Sequence, residues 1–315
     1  MDRRSGFIDQ VRRIAGRPPL ENVPLKDHSN FRIGGPADYF FEARSAADLS
    51  SAVRAARDFG IPFYVVGGGF NLLFDDDGYR GLILKNAVRA TPTPDASGGI
   101  RVSAGTGLDT LVEFATAHGL EGLEFLAGIP GTVGGAVFGN AGAFGQCLGT
   151  FLNKAAVLTT AGEESILSQE DFGFAYRHSM LKHHPHIVLE AEFALRPGRP
   201  DEIRTRIAEN LALRAGKHPP RDTAYAGSYF KNPPPLPDGT KRPAGRLLEQ
   251  VGARGLVKGG AAVYAGHCNF LINARQATAR DVLALAADLK KRVRDRFGVE
   301  LEEEVIFLPA GASGL

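Results

Sequence analysis

The sequence contains no tryptophan and only two methionines and two cysteines in 315 residues. Cys147 and Cys268 show neither a CxxC pair nor a His–Cys spacing, which excludes a disulfide framework and a structural zinc site. Both thiols read as inert packing residues of a reduced, cytoplasmic protein. Excess charge of one sign is missing too: 37 basic and 35 acidic residues leave a net charge of +2. No basic stripe marks nucleic acid or an anionic membrane as a partner. The opening MDRRSGFIDQVRRIAGRPP is basic but lacks the apolar stretch of a secretory signal. No internal repeat, low-complexity tract or metal-ligand spacing stands out, so no metal is expected.

What the chain has in excess is glycine, 39 residues, gathered in runs that signal tight turns and ligand loops. The run FLAGIPGTVGGAVFGNAGAFGQCLGTFLN, Phe125 to Asn153, holds eight glycines in twenty-nine positions and no charged residue. Its length and apolarity alone would fit a membrane span. The glycines, Pro130, Asn140 and Gln146 argue against one. Exposed N–H groups in such a loop hold phosphate without any lysine. A large, phosphate-bearing, partly apolar ligand is expected, and a dinucleotide fits. A second loop, VVGGGFNLLFDDDGYRGLIL (Val65 to Leu84), feeds a strand into Gly67, Gly68 and Gly69. It is not a GxGxxG fingerprint, and alone it reads equally as a plain turn. Two such loops on different domains can grip the two ends of one dinucleotide.

Periodicity organises the rest. Strands at Ala37–Phe41, Pro62–Val66 and Gly81–Leu84 flank a helix at Ala46–Phe59, a small α/β unit ending near Lys85. A strand at Ile100–Ala104 and a helix at Leu108–Gly119 follow. Further strands are expected at Ala155–Thr159 and His186–Leu195, and a helix at Asp201–Ala215 with Gly216 as its C′ residue. Pro219 to Pro243 is a proline-rich loop. Helical spacing resumes at Ala244–Val251 and again from the N-cap Thr278 to Phe297, closed by Gly298. The last strand is Val305–Leu308.

Seven segments, in order, carry a resemblance: NFRIGGPADYF (Asn30 to Phe40), the Val65–Leu84 loop, GLEFLAGIPGTVGGAVFGNAGAFG (Gly122 to Gly145), FAYRHSMLK (Phe174 to Lys182), AGSYFKNP (Ala226 to Pro233), the stretch Ala244 to Val282, and GVELEEEVIFL (Gly298 to Leu308). The chain resembles the UDP-N-acetylenolpyruvoylglucosamine reductases, flavoenzymes of peptidoglycan precursor synthesis. Pro219 to Pro243 is too short for a folded capping insertion, so the resemblance is to the shorter type. It implies an α+β chain: a two-subdomain FAD-binding fold of the vanillyl-alcohol-oxidase type plus a third, substrate-binding α+β domain. The expected ranges are 1–85, joined by the returning 305–315, then 86–205 and 206–304.

The resemblance implies non-covalent FAD held by Gly67, Gly68, Gly69, Phe70 and Asn71 and by Gly128, Ile129, Pro130, Gly131, Gly134, Gly135, Asn140 and Gly142. It implies NADPH as co-substrate and reduction of the enolpyruvyl group of UDP-N-acetylglucosamine enolpyruvate to a lactyl ether. Such a reaction needs a cation by the carboxylate, a donor for the enolate and a proton source. Arg177 matches the family's catalytic arginine, Ser228 its proton donor and Glu304 its glutamate. Without the motif, Ser228 would read as a turn serine. Strand alternation places Glu302 and Glu304 on one face, with Glu304 favoured because it precedes Val305. Arg214, Lys217, Lys231, His267 and Asn269 are the expected substrate contacts, though His267 and Asn269 equally suit bracing the third domain. Two departures stand out: Phe70 where the family has serine, and Glu303 where it has proline. The alternatives are an FAD oxidase of the same fold and a non-catalytic flavin-binding paralogue. A monomer is expected.

Overall fold

A computed structural model of the chain describes residues 3–94, 98–184, 186–220 and 222–312. Positions 1, 2, 95–97, 185, 221 and 313–315, which fall within the expected domain ranges and the proline-rich loop, lie outside the described residues.

The first sheet has β1 (Leu20–Pro24), β2 (Pro36–Ala43), β3 (Phe63–Val66) and β5 (Tyr79–Asn86) in the order β1-β2-β5-β3, while β4 (Leu72–Phe74) lies apart from it. β2, β5 and β3 run parallel. Parallel strands buried on both faces read as near-continuous apolar runs, which is the pattern of DYFFEA and GLILKN. Helices α1 (Arg3–Ala15) and α2 (Ala46–Asp58) pack Phe7, Val11, Leu49 and Val53 against Tyr39, Phe41, Leu82 and Leu84. The second sheet is antiparallel and contains β6 (Thr93–Pro94) and β7 (Ile100–Ser103), with strands at Leu152–Thr159, Glu164–Ser168 and His186–Phe193. It is covered by α3 (Leu108–Ala117) and α4 (Val133–Gly139), with Leu111, Val133 and Phe193 in its core.

After α5 (Pro200–Ala215) and α6 (Ala244–Gln250), α7 (Ala279–Phe297) packs on a small sheet of Val257–Lys258, Ala261–Val263 and Leu271–Asn273. Thr278 and Asp281 form a capping box, and Gly298 ends the helix at φ 64, a left-handed geometry that favours glycine. This third core also takes in Phe31, Ile33 and Leu73 from the N-terminal part of the chain. The chain then returns: Ile306–Leu308 pairs in parallel with β4. That pairing carries Glu304 to the exit of the first glycine loop.

Three features differ from the sequence reading. α1 forms where no element was expected. α4 forms inside the glycine run despite two internal glycines, each a weak helix former. Thr132 caps it, its Oγ1 accepting from Gly135 N at 3.4 Å, and Asn140 ends it at φ 45. Gly134 N also donates to Ala104 O at 2.8 Å. Tertiary packing therefore overrides propensity there. Gly216, expected as a left-handed C′ residue, is right-handed at φ −74 and is the C-cap itself.

Candidate active site

The two glycine loops abut. A Cβ on Gly67 would collide with Thr132 Oγ1, and one on Gly69 with the carbonyl of His28. Gly69 and Gly131 adopt φ 71 and φ 148, so glycine is needed for space at Gly67, for dihedral at Gly131 and for both at Gly69. Among the described residues, the N–H groups of Gly68, Gly69, Gly131 and Thr132 have no hydrogen-bond partner. Tightly packed, uncharged main-chain donors converging from two loops fit the phosphates of a dinucleotide. The Phe70 ring lies against Gly68 and adds an apolar wall with no hydroxyl.

Other residues expected at the cofactor brace their surroundings. Asn140 is 2% exposed. Its Nδ2 donates to Ala175 O at 2.8 Å and its Oδ1 accepts from Gly149 N at 2.9 Å. Gly142 O accepts from Arg177 Nη2 at 2.9 Å. Asn71 Nδ2 donates to Glu304 O at 2.9 Å, fastening the first loop to the returning strand. Gly134 packs on Ala104, while Gly128 (φ 74) lies against Leu211 and Arg214. Ile129 packs on the second core. Pro130 and Gly135 flank the Gly131–Thr132 part of the cradle.

Arg177 sits on a tight turn. Ala175 and His178 exchange two backbone bonds, at 3.2 and 3.1 Å. Arg177 itself is at φ 54, a left-handed conformation costing a non-glycine residue about 1–2 kcal/mol. The turn is pinned to the end of the glycine run. Asn140 holds Ala175, the fully buried Ser179 donates to Phe138 O at 2.7 Å, and Lys182 Nζ donates to Arg177 O at 2.8 Å. Arg177 Nε lies 2.5 Å from Glu304 Oε1, yet this buried nitrogen makes no aligned hydrogen bond. The two side chains thus meet at ion-pair distance in a largely buried setting.

Ser228 follows Gly227, which is left-handed at φ 67. The next two residues are clamped by Asn269, which is 4% exposed. Its carbonyl accepts from Tyr229 N at 2.8 Å, its Oδ1 accepts from Phe230 N at 3.0 Å and its Nδ2 donates to Phe230 O at 2.8 Å. Glu304 N in turn donates to Tyr229 O at 2.7 Å, and Phe230 bridges Glu303. Ser228, Glu304 and Arg177 thus belong to segments that contact one another.

The three glutamates separate cleanly. Glu302 pairs with Lys231 at 2.9 Å and Glu303 with Lys290 at 3.0 Å, both near the surface. Glu304 alone turns inward to Arg177. Around the single bridge of Glu303 to Phe230, Glu303 turns to Lys290, while the Lys231 charge reaches both Glu302 and Glu304. Burial pushes the Glu304 carboxyl above the usual glutamate range, against the pull of Arg177, Lys182 and Lys231.

The expected substrate residues divide. Arg214 is half-buried, donates to Phe125 O at 3.1 Å and stacks on Phe144 at 5.2 Å, while its Nε is buried without a partner. Burial and the nearby Arg177 weaken its hold on its proton. Lys217 is exposed. Lys231 is shared with Glu302. Asn269 is spent as a brace. His267 lies edge-on to Phe270 at 5.1 Å, with its Nδ1 accepting from Asn269 N at 3.2 Å. Sequence reasoning missed Lys182, although it lies inside the FAYRHSMLK segment. It also missed His218, half-buried against Phe270 at 4.9 Å. Burial, then Arg214, His267 and Lys217, push His218 down to about 4.

Fold and cradle together define the class: an oxidoreductase built on an FAD-binding domain. A profile described as an FAD binding domain matches residues 37–167. A second, described as UDP-N-acetylenolpyruvoylglucosamine reductase, C-terminal domain, matches residues 219–308. A UDP-N-acetylenolpyruvoylglucosamine reductase of Solibacter usitatus is 42% identical, covering 94% of this chain and 99% of that relative. One from Geotalea uraniireducens is also 42% identical, over 90% of this chain and 92% of its own length. The crystal structure of the Thermus caldophilus enzyme of that name superposes with a TM-score of 0.75 at 36% identity, covering 91% of this chain and 98% of its own. The chain belongs to the UDP-N-acetylenolpyruvoylglucosamine reductase family, and the FAD-binding fold expected from its motifs is the fold it has. Among the described residues, no helix is long and apolar enough to cross a membrane, and no cluster of three or more His, Cys, Asp or Glu side chains is placed to hold a metal ion.

Proposed function

We propose that this chain reduces UDP-N-acetylglucosamine enolpyruvate to UDP-N-acetylmuramate with NADPH, supplying peptidoglycan precursors. The observation that carries this reading is the approach of Arg177 to Glu304 beside the Ser228 segment, at the exit of the cradle. The main-chain N–H groups of Gly68, Gly69, Gly131 and Thr132 would hold the FAD phosphates, and the bound flavin would supply hydride-transfer chemistry between NADPH and the vinyl carbon of the substrate.

The protein handles charge and proton. Arg177, a fixed cation with a buried Nε beside Glu304, takes the substrate carboxylate and stabilises the negative charge that spreads into it after hydride arrival. Ser228 gives its hydroxyl proton to the carbon α to that carboxylate. A serine hydroxyl is a weak acid in water, but an enolate is a strong enough base to take its proton in a desolvated site. Glu304, which burial biases toward its protonated form, is placed to restore that proton. Arg214, with an unpartnered Nε, and Lys217 supply positive charge for the diphosphate.

The test is an anaerobic absorbance experiment on purified, flavin-loaded protein. NADPH should bleach the flavin band, and the enolpyruvyl substrate should restore it without oxygen. Bleaching that O2 reverses and the enolpyruvyl substrate does not would shift the reading to an oxidase. A flavin band that NADPH cannot bleach would shift it to a non-catalytic flavin binder.

A further inference from the structure

Lys182 lies outside the cradle and outside the Arg177, Ser228 and Glu304 set, yet four observations converge on it. Its ammonium donates to the carbonyl of Arg177, the one residue of the turn held left-handed. Its charged end lies over the Phe138 ring at 5.8 Å, on the same segment that receives Ser179. It is only partly exposed. Among the described residues, its only direct link toward Glu304 runs through Arg177, whose Nε lies 2.5 Å from the Glu304 carboxylate, and the charges of Glu304, Arg177, Lys231 and His178 act together there. A neutral donor would satisfy a carbonyl at lower desolvation cost. A buried ammonium used for that purpose needs a carboxylate to offset it. Glu304 is the carboxylate whose charge acts on it, and Lys231 is already engaged by Glu302.

We propose that Lys182 is a positioning residue: it locks the Arg177 carbonyl so that the guanidinium points at Glu304, and its charge keeps that carboxyl poised to exchange a proton. The inference rests on the reductase reading for its kinetic arm only. Burial and the neighbouring Lys231 and Arg177 weaken the hold of Lys182 on its own proton, while Glu304 strengthens it. Removing the lysine charge therefore leaves Glu304 with Arg177 and Lys231 alone and favours its neutral form.

The test uses flavin-loaded protein carrying Lys182→Met, which keeps the apolar stem over Phe138, and Lys182→Arg, which keeps the charge. The Glu304 carboxyl is titrated by carbon NMR in the oxidised state and assigned with Glu304→Gln. The two half-reactions are followed separately by stopped flow. Lys182→Met should raise the Glu304 midpoint and slow reoxidation by the enolpyruvyl substrate by about 10- to 100-fold, while NADPH bleaches the flavin as before. Lys182→Arg should restore the midpoint and most of the rate. A midpoint unmoved in Lys182→Met overturns the proposal, as does equal slowing of both half-reactions, the sign of a merely structural role. Should Lys182→Met lose its flavin band, Lys182→Gln, which can still donate to the Arg177 carbonyl, takes its place with the same criteria. If wild-type protein is bleached by NADPH but not reoxidised by the enolpyruvyl substrate, the reductase reading fails, and the NMR midpoint still decides the role of Lys182.

Discussion

The turn that carries Arg177 hangs from an uncharged helix-and-loop segment by side-chain bonds, whereas the segment that carries Ser228 is clamped between the backbone and side chain of Asn269 on one side and the backbone of Glu304 on the other. Each wall uses one buried asparagine from a neighbouring loop: Asn140 for the arginine, Asn269 for the serine. They differ in where the left-handed residue sits. In the arginine wall it is Arg177 itself, so the functional residue is strained and needs Asn140, Ser179 and Lys182 to hold it. In the serine wall it is Gly227, one residue earlier, where the conformation costs little. The comparison teaches that one wall stores strain against many anchors, while the other needs only register.

The largest expected effects come from removing the functional groups themselves. Ser228→Ala should slow reoxidation of the reduced flavin by the enolpyruvyl substrate by about 10²- to 10⁴-fold, the usual worth of a positioned proton donor. Arg177→Ala should slow the same step by about 10²- to 10³-fold, the usual worth of one charge-stabilising group. Bleaching by NADPH should be unaffected in both, because neither residue belongs to the cradle. Anaerobic stopped flow reads the two steps apart. If Ser228→Ala slows bleaching and reoxidation equally, the serine wall holds the cofactor rather than the proton.

The asparagines test the contrast in strain. Asn269→Ala strands the N–H and carbonyl of Phe230, and Asn140→Ala strands Ala175 O and Gly149 N. Each should lower unfolding stability by about 1–3 kcal/mol, the cost of leaving buried polar groups unpaired. Their kinetic effects should diverge. Asn140→Ala loosens a turn that stores strain, so Arg177 can relax and reoxidation slows. Asn269→Ala leaves Gly227 relaxed and Ser228 still pinned through the bond of Glu304 to Tyr229. Denaturant titration combined with stopped flow checks this, and a slower reoxidation in Asn269→Ala than in Asn140→Ala would reverse the comparison.

The cradle was legible because its geometry admits little but glycine. Positive φ at Gly69 and Gly131 and the close approach of Gly67 to Thr132 all exclude a side chain. α7 was legible for a related reason, since Thr278 and Gly298 announce its ends locally. What holds the two candidate walls was not legible. Asn140 reaches a carbonyl 35 residues away and Asn269 a segment 39 residues away. Nothing in the local pattern says which distant backbone an asparagine will brace. α4 was missed because two glycines hide a helix that packing on Ala104 stabilises. Glu304 could be singled out from Glu302 and Glu303 by motif alone, and the physical reason emerges only in the fold. Its neighbours find lysine partners at the surface, and it is left facing Arg177.

The smallest expected effects are in pH dependence, and they test whether the meeting point of the two walls is as buried as its partners indicate. Glu304 has a folded-state proton affinity above the ordinary glutamate value of 4.5, chiefly through burial. Its contribution to stability is therefore complete below that value and is lost as pH rises through the folded midpoint. Wild-type protein should lose unfolding free energy relative to Glu304→Gln as pH climbs from 4.5 upward, and the gap should stop widening once the folded carboxyl is ionised. His218, beside Arg214 and Phe270, has the opposite sign. Burial and the nearby Arg214 hold it down at about 4 from an ordinary 6.5, so stability is present above 6.5 and is lost as pH falls toward 4. His218→Gln should flatten that acid limb and leave the Glu304 limb alone. Denaturant titrations at several pH values between 4 and 8 separate the two limbs. A Glu304→Gln curve parallel to wild type throughout would mean that Arg177 and the lysines fully offset burial, so that Glu304 keeps an ordinary proton affinity and holds no proton at neutral pH to return to Ser228.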